Sequence, residues 1–138
     1  MPNSDKIDRI IVDTYAWIEY FKGSEEGKKA KKIIDGQFEL FTPSIVIAEL
    51  SDKYRREGIK EWSIRNKFIK FRTKILSLDE DVADKAGEFK QELKKKYKDS
   101  GLADAIVFSH SMEIKAKILT GDKHLKDLKN SIDISKKN

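Results

Sequence analysis

Four acidic residues adjoin apolar segments of this sequence, where an ionised side chain is costly to bury. The segments are 10–13, 45–50, 102–107 and 118–122, and their acidic members are Asp13, Glu49, Asp104 and Asp122. A carboxylate rarely stays charged inside a protein unless it is paired or bound to a metal, because losing its hydration costs several kcal/mol. If the four side chains converge, a divalent cation would offset their mutual repulsion. The pattern therefore indicates a metal-dependent hydrolytic site.

Each of the four residues also has a structural explanation when it is taken singly. Asp13 and Asp122 could each cap the helix or turn that follows them. Asp104 falls in the first turn of a predicted helix, where the helix dipole favours a negative charge. Glu49 shares a helix face with apolar neighbours and could pair with a buried Lys or Arg. The metal hypothesis depends on whether the four meet.

The elements that must position these residues alternate between short β-branched segments and helical patterns, which predicts an α/β fold. Strands are predicted at 7–12, 38–41, 74–78 and 116–120, with a fifth, edge strand at 132–134. Helices are predicted at 14–21, 25–34, 43–56, 60–72, 79–98 and 102–113, followed by a helical turn at 123–128. We expect a mostly parallel central sheet of four to five strands flanked by helices, an α/β/α sandwich. Asp13 and Asp122 would then follow parallel strands, at the edge where such sheets bind ligands.

The length and composition of the chain limit what it can be. Its 138 residues predict one domain over 1–138, with about 1–6 and 135–138 frayed. A net charge of +5 favours polyanionic partners, although a Lys- and Glu-rich composition is also common in heat-adapted proteins. The absence of cysteine excludes disulfides and thiolate chemistry. Without a signal segment or an apolar stretch of membrane-spanning length, we expect a soluble, cytoplasmic protein with no membrane association.

Four motifs contain the acidic residues, in the order Ile-Val-Asp-Thr (11–14), Pro-Ser-Ile-Val-Ile-Ala-Glu-Leu (43–50), Leu-Ala-Asp-Ala-Ile (102–106) and Leu-Thr-Gly-Asp-Lys-His-Leu (119–125). In these motifs the chain resembles the PIN-domain ribonucleases, and among them toxins of the VapC type. The resemblance implies a PIN-like fold. It also implies that four catalytic acidic residues hold the metal, namely Asp13, Glu49, Asp104 and Asp122, and that the Thr120 hydroxyl is an accessory contact near the ion. The chain departs from the family at Leu125, where Phe is common, and at Tyr15, where a small polar residue is frequent.

The residue types of this site predict its cation and its reaction. Hard oxygen ligands without His or Cys select Mg²⁺ or Mn²⁺ rather than zinc. With two ions, one activates water and the other stabilises the leaving oxygen of a phosphodiester. The resemblance implies RNA as the substrate, with a 3′-hydroxyl and a 5′-phosphate as products. It also implies a homodimer and a cognate antitoxin as partners.

Three alternatives to a toxin ribonuclease remain open. The first is a PIN-domain nuclease that processes RNA outside a toxin–antitoxin pair. The second is a phosphatase similar to haloacid dehalogenases, with Asp13 as nucleophile, but that family places a second Asp where this chain has Tyr15. The third is a catalytically silent PIN-like module that binds RNA or protein. The four acidic positions disfavour it, because a scaffold gains nothing from costly charges.

Other polar and apolar patterns are expected to have smaller roles. His110 and His124 lack metal-ligand spacing with each other, so we expect the first to pack or point outward and the second to lie near the rim of the cleft. The aromatic and aliphatic residues of 60–72 are expected to form the buried stripe of an amphipathic helix, although an RNA-binding role is an alternative. The lysines in 94–98 could steer phosphate toward the cleft or simply occupy a solvated helix end.

Overall fold

A computed structural model describes residues 8–137 of the chain, which form five strands and six helices. The strands are β1 (Arg9–Val12), β2 (Glu39–Pro43), β3 (Lys74–Leu76), β4 (Lys117–Thr120) and β5 (Ser131–Asp133). The helices are α1 (Thr14–Lys22), α2 (Glu25–Ile34), α3 (Ser44–Arg56), α4 (Trp62–Arg72), α5 (Glu80–Lys96) and α6 (Leu102–Ile114). The predicted order of elements is confirmed. The helical turn predicted at 123–128 is also present, since the Leu125 and Lys126 backbone N–H groups both donate to the Asp122 carbonyl, at 3.0 and 2.8 Å.

The central sheet is parallel throughout, with the strand order β3-β2-β1-β4-β5. The chain builds outward from β1 to β2 and β3 on one side, then returns to place β4 on the other side. This reversal of strand order lies between β1 and β4, where loops leave the sheet in opposite directions and open a crevice at the carboxyl ends of the strands. The α/β prediction with a mostly parallel sheet of up to five strands is therefore confirmed.

Apolar residues of the two central strands form the middle of the core. Ile10, Ile11 and Val12 of β1 are at most 1% exposed, and Ile118 and Leu119 of β4 are fully buried. Strands buried on both faces in this way are typical of parallel sheets covered by helices. The core therefore fixes the position of the residue that follows each of these strands.

A series of hydrogen bonds links α1 to the sheet within this core. The Trp17 indole Nε1–H donates to Thr42 Oγ1 at 3.2 Å, and Thr42 Oγ1 lies 2.8 Å from Thr73 Oγ1. Thr73 itself donates to the Ile69 carbonyl at 2.9 Å. Because the Thr73 hydrogen is used in that bond, Thr42 is the donor to Thr73. The indole and both hydroxyls are thus satisfied, as burial requires.

Helix α4 differs from the expected buried stripe. Trp62 and Ile69 are buried, but Ile64 is 70% exposed and Phe71 is 87% exposed. The apolar residues of this helix therefore lie on two faces, only one of which packs against the core.

The ends of the chain were expected to fray at about 1–6 and 135–138. Residues 1–7 and 138 lie outside the described residues, including Ile7 at the predicted start of β1. Within 135–137, Ser135 Oγ donates to Asp133 Oδ1 at 2.6 Å and Lys29 donates to the Lys136 carbonyl. No helix in the described part of the chain is long and apolar enough to cross a membrane.

Candidate metal centre

The reversal of strand order brings two of the predicted acidic residues together. Asp13 directly follows β1, and its backbone N–H donates to the Leu119 carbonyl of β4 at 3.1 Å. Asp122 lies two residues beyond the end of β4. Because β1 and β4 are adjacent and parallel, these two residues leave the sheet at the same edge. The register of the sheet therefore positions both carboxylates in the crevice.

Asp13 is the most buried of the four carboxylates, with 5% of its surface exposed. It occupies the N-cap position of α1, but its side chain makes no capping hydrogen bond. Burial, together with repulsion from Asp122 and Glu49, raises the pKa of the Asp13 carboxyl from its usual 3.8 to about 7. A capping role alone would not require this costly position, so the capping explanation for Asp13 is not supported by the contacts.

Thr120, the last residue of β4, connects the two carboxylates at the crevice. Its hydroxyl donates to Asp13 Oδ2 at 2.8 Å and accepts the Asp122 backbone N–H at 3.0 Å. The side chain is fully buried. Thr120 therefore fixes the rotamer of Asp13 and the path of the chain that leads to Asp122.

Asp104 enters the same crevice from the first turn of α6. Burial and repulsion from Asp122 raise the pKa of the Asp104 carboxyl to about 6, against the opposing attraction of His124. Its location is the one that the helix dipole favours. Burial beside other carboxylates thus makes the ionised form of Asp104 costly.

Glu49 differs from the expectation of a carboxylate on a buried apolar stripe. It lies on α3 as an exposed residue, and its Oε1 accepts a hydrogen bond from Thr14 Oγ1 at 2.6 Å. Since Thr14 directly follows Asp13, this bond directs the Glu49 carboxylate toward the crevice. Repulsion from Glu49 contributes to the raised pKa of both Asp13 and Asp104. The four predicted acidic residues therefore lie near enough for their charges to affect one another, and Asp13 is the buried one among them.

The chemistry of these donors fits a hard divalent cation. Four carboxylates, two of them with raised pKa values, provide oxygen ligands at the carboxyl edge of the sheet. Such a set matches the preference of Mg²⁺ and Mn²⁺, and a cation would relieve the repulsion that raises the two pKa values. Asp122 Oδ1 also accepts the His124 backbone N–H at 2.8 Å, so the expected capping of the following turn is present as well.

A histidine that the sequence placed only near the rim belongs to this cluster. His124 Nδ1 lies 3.2 Å from Asp104 Oδ2 and 3.5 Å from Asp122 Oδ1. Ligand atoms of these three residues lie within 4.8 Å of one another. Beyond the imidazole, a cavity of about 370 Å³ opens between α5 and the turns at 124–128, with Phe108 of α6 in its lining. The sequence Asp122-Lys123-His124 could have indicated this role, because residues two apart in a tight turn can face the same ligand.

Tyr15, where the resembled family often has a small polar residue, does not direct its hydroxyl to the acidic cluster. The hydroxyl donates to Glu26 Oε1 of α2 at 2.6 Å. Its ring packs over Gly121, where an added Cβ would lie 2.4 Å from a ring carbon. The glycine thus permits the ring to lie against the loop that leads to Asp122.

Comparisons with known proteins agree with this architecture. A family model described as PIN domain matches residues 10–130. No curated protein sequence matches the chain. The solved structures that resemble it include a toxin–antitoxin complex from Klebsiella pneumoniae, with 18% identity, a TM-score of 0.72 and coverage of 91% of this chain and 97% of that one.

Two further structures resemble the chain at similarly low identity. VapC20 of Mycobacterium tuberculosis, a sarcin–ricin loop cleaving toxin, has 18% identity and a TM-score of 0.68, covering 83% of this chain and 90% of that one. DNA-bound VapBC of Salmonella typhimurium has 17% identity and a TM-score of 0.66, covering 93% and 99%. At these identities the likeness establishes a common fold.

Proposed function

Because this chain belongs to the PIN domain family, we propose that it is a metal-dependent endoribonuclease that hydrolyses phosphodiester bonds of RNA. We further propose that it is the toxin of a VapBC-type toxin–antitoxin pair. The residues that would hold Mg²⁺ or Mn²⁺ are Asp13, Glu49, Asp104 and Asp122. A cation bound there would supply Lewis acidity to activate water and to stabilise the leaving oxygen.

The observation that carries the proposal is the convergence of carboxylates that destabilise one another. Asp13 and Asp104 both have raised pKa values, and both are affected by the charges of Asp122 and Glu49. A scaffold without a cation would gain stability by losing these charges. Their retention at the ligand-binding edge of the sheet is explained by a cation and an anionic substrate.

The contacts of the chain indicate what its own residues do in such a reaction. Thr120 and Thr14 hold Asp13 and Glu49 through their hydroxyls, so these carboxylates need little rearrangement when they bind. The turn after β4 holds Asp122 through the His124 backbone N–H. A site whose ligands are fixed in this way loses less conformational entropy on binding a cation and a phosphate.

The proposed antitoxin partner is supported by an exposed apolar surface. Phe71 and Ile64 of α4, 87% and 70% exposed, lie on the helix face that does not pack against the core. Large exposed apolar side chains on one helix face suit contact with another protein chain. Two of the similar structures are VapBC complexes bound to DNA, one from Rickettsia felis and one from Salmonella typhimurium. By analogy, we propose a cognate antitoxin and a homodimer for this chain.

Cleavage of a mixed pool of transfer and ribosomal RNA would test the nuclease proposal. Purified protein should give specific fragments with Mn²⁺ or Mg²⁺, and the fragments should vanish with chelator. Asp104→Asn should be inactive, because it removes a carboxylate from the centre of the cluster. Asp84→Asn, an exposed residue of α5, is the matched control and should cleave like the wild type.

The outcomes separate the alternatives. An Asp104→Asn protein that cleaves as fast as the wild type would refute the assignment of the site. A wild-type protein that neither binds Mn²⁺ nor cleaves RNA would favour the silent binding module. Growth arrest on expression, relieved by a neighbouring gene product, would distinguish a toxin from an RNA-processing enzyme.

A further inference from the structure

His124 lies between three carboxylates, and both of its ring nitrogens face an oxygen. Nε2 is 2.9 Å from Asp99 Oδ1, in the loop between α5 and α6. Nδ1 faces Asp104 Oδ2 at 3.2 Å and Asp122 Oδ1 at 3.5 Å. The side chain is 12% exposed, and its ring meets Tyr97 edge to face with centroids 5.5 Å apart. The imidazole is therefore held in one orientation from two sides.

The hydrogen-bond requirements of this arrangement are not met by a neutral imidazole alone. A neutral ring has one N–H donor and one lone pair, whereas ionised carboxylates only accept hydrogen bonds. Asp99 is exposed, and hydrogen bonds from His124 and Lys123 lower the pKa of its carboxyl, so Asp99 is an acceptor. If Nε2–H donates to Asp99, the Nδ1 lone pair points at the oxygens of Asp104 and Asp122. A metal ion placed in this gap would accept the Nδ1 lone pair and contact both carboxylates.

We propose that His124 Nδ1 is a ligand of the divalent cation that Asp104 and Asp122 hold, with Asp99 as the outer partner that fixes the tautomer. Histidines that bind metals commonly donate their other N–H to a carboxylate in this way. The donor atoms of the three residues lie within 4.8 Å of one another, close enough for a single ion to contact all three. The proposal goes beyond the all-oxygen site and rests on the proposed function only for the role of the ion.

A nitrogen ligand changes the choice of metal. Mg²⁺ prefers oxygen ligands and keeps much of its water, whereas imidazole binds transition metals more readily. The site should therefore take Mn²⁺ in preference to Mg²⁺. Calorimetric titration with each ion should show that His124→Asn lowers the affinity for Mn²⁺ at least tenfold and the affinity for Mg²⁺ by a smaller factor.

The direct test is pulsed electron paramagnetic resonance of Mn²⁺ bound to the tag-free protein. The chain has two histidines, so a ¹⁴N coupling typical of a directly bound imidazole can come only from His110 or His124. The wild type should show this coupling, and His124→Asn should lose it while it retains Mn²⁺ through the carboxylates. His110 remains in that variant and serves as an internal control. It is buried in α6, and the charged groups that affect its pKa are Asp79 and Glu113 rather than the carboxylates of the proposed site.

A second variant tests the outer partner. Asp99→Asn should retain the ¹⁴N coupling, since Nδ1 is unchanged, but should lower Mn²⁺ affinity about tenfold, the lower end of the effect of such partners. Lys123→Ala removes the other partner of Asp99 without touching the imidazole and should change Mn²⁺ affinity less.

Each result decides whether the imidazole is a ligand of the ion. Bound Mn²⁺ without a ¹⁴N coupling in the wild type, or a coupling that persists in His124→Asn, would overturn the proposal. RNA cleavage without the coupling would refute only the ligand assignment, whereas coupling without cleavage of any RNA would refute only the nuclease function. Failure to bind Mn²⁺ at all would refute both.

Discussion

Replacing Asp13 by Asn should make the metal-free protein more stable at pH 8, although it removes a residue of the proposed active site. In the folded protein the pKa of Asp13 is about 7, and its usual value is 3.8. This difference corresponds to about 4 kcal/mol of unfavourable free energy when the buried carboxyl is ionised. Asn removes that cost and can still accept the hydrogen bond from Thr120. Its buried amide N–H₂ needs a partner, which costs about 1–3 kcal/mol, so the expected net gain is about 1–3 kcal/mol.

The effect of Asp13→Asn depends on pH in a defined direction. The folded wild type binds the Asp13 proton more tightly than the unfolded chain does, because the folded pKa is raised. Its contribution to stability is therefore complete below about pH 4 and is lost as the pH rises through about 7. The advantage of the variant should be absent at pH 4 and should grow toward pH 8.

Urea unfolding in the presence of chelator would measure this difference at several pH values. Trp17 and Trp62 are both buried and provide a fluorescence signal of unfolding. Asp84→Asn, which removes an exposed carboxylate, is the control and should change stability little at any pH. Saturating Mn²⁺ should reverse the order, because it stabilises the wild type by mass action. A variant no more stable than the wild type at pH 8, or an advantage independent of pH, would refute the reasoning.

Three further predictions concern packing and RNA binding. Gly27→Ala should destabilise the fold by about 3 kcal/mol in thermal unfolding, because the new Cβ would lie 1.9 Å from the Glu19 carbonyl oxygen. Gly87→Ala is the control: it has open space around the new Cβ and should stabilise the fold by about 0.5–1 kcal/mol. Thr42→Val should cost about 1–3 kcal/mol in urea unfolding, because it leaves the Trp17 N–H unpaired, and an unchanged stability would contradict the series of hydrogen bonds. Replacing the lysines of 94–96 by Ala should weaken RNA binding. The slope of log binding constant against log salt concentration should fall by about 0.7 for each RNA phosphate that is no longer neutralised. An unchanged slope in filter binding would rule out a role of these lysines in attracting RNA.

The elements of the fold were predictable because their signals are local. The bounds of α2 follow from Ser24, whose hydroxyl accepts the Gly27 N–H, and from the apolar spacing that ends at Ile34. The family resemblance, drawn from four motifs, is confirmed by the match over residues 10–130. The parallel direction of the strands also followed, since helices between strands favour a parallel sheet.

What the sequence did not indicate depends on tertiary contacts. The two apolar faces of α4 could not be distinguished by spacing, because Ile64 and Ile69 are equally apolar and only the packing of neighbouring elements buries one of them. The place of His124 in the acidic cluster depends on Asp99, 25 residues earlier, and on a loop folding over the turn after β4. The exposure of Glu49 likewise follows from how α3 is set against α1, which its own helical pattern does not specify.

Thr120 shows how the geometry restricts the role of a residue that the sequence could only place near the ion. A hydroxyl has one hydrogen and two lone pairs. The hydrogen is used on Asp13, and one lone pair accepts the Asp122 N–H. Thr120 therefore acts mainly as a positioning residue, which favours the acceptor form of Asp13 and sets its distance from Asp122. Thr120 is fully buried at the end of a central strand, so the rigid core holds its hydroxyl in place. The two hydrogen bonds of that hydroxyl explain how the fold keeps Asp13 and the chain at Asp122 together despite the repulsion between their carboxylates.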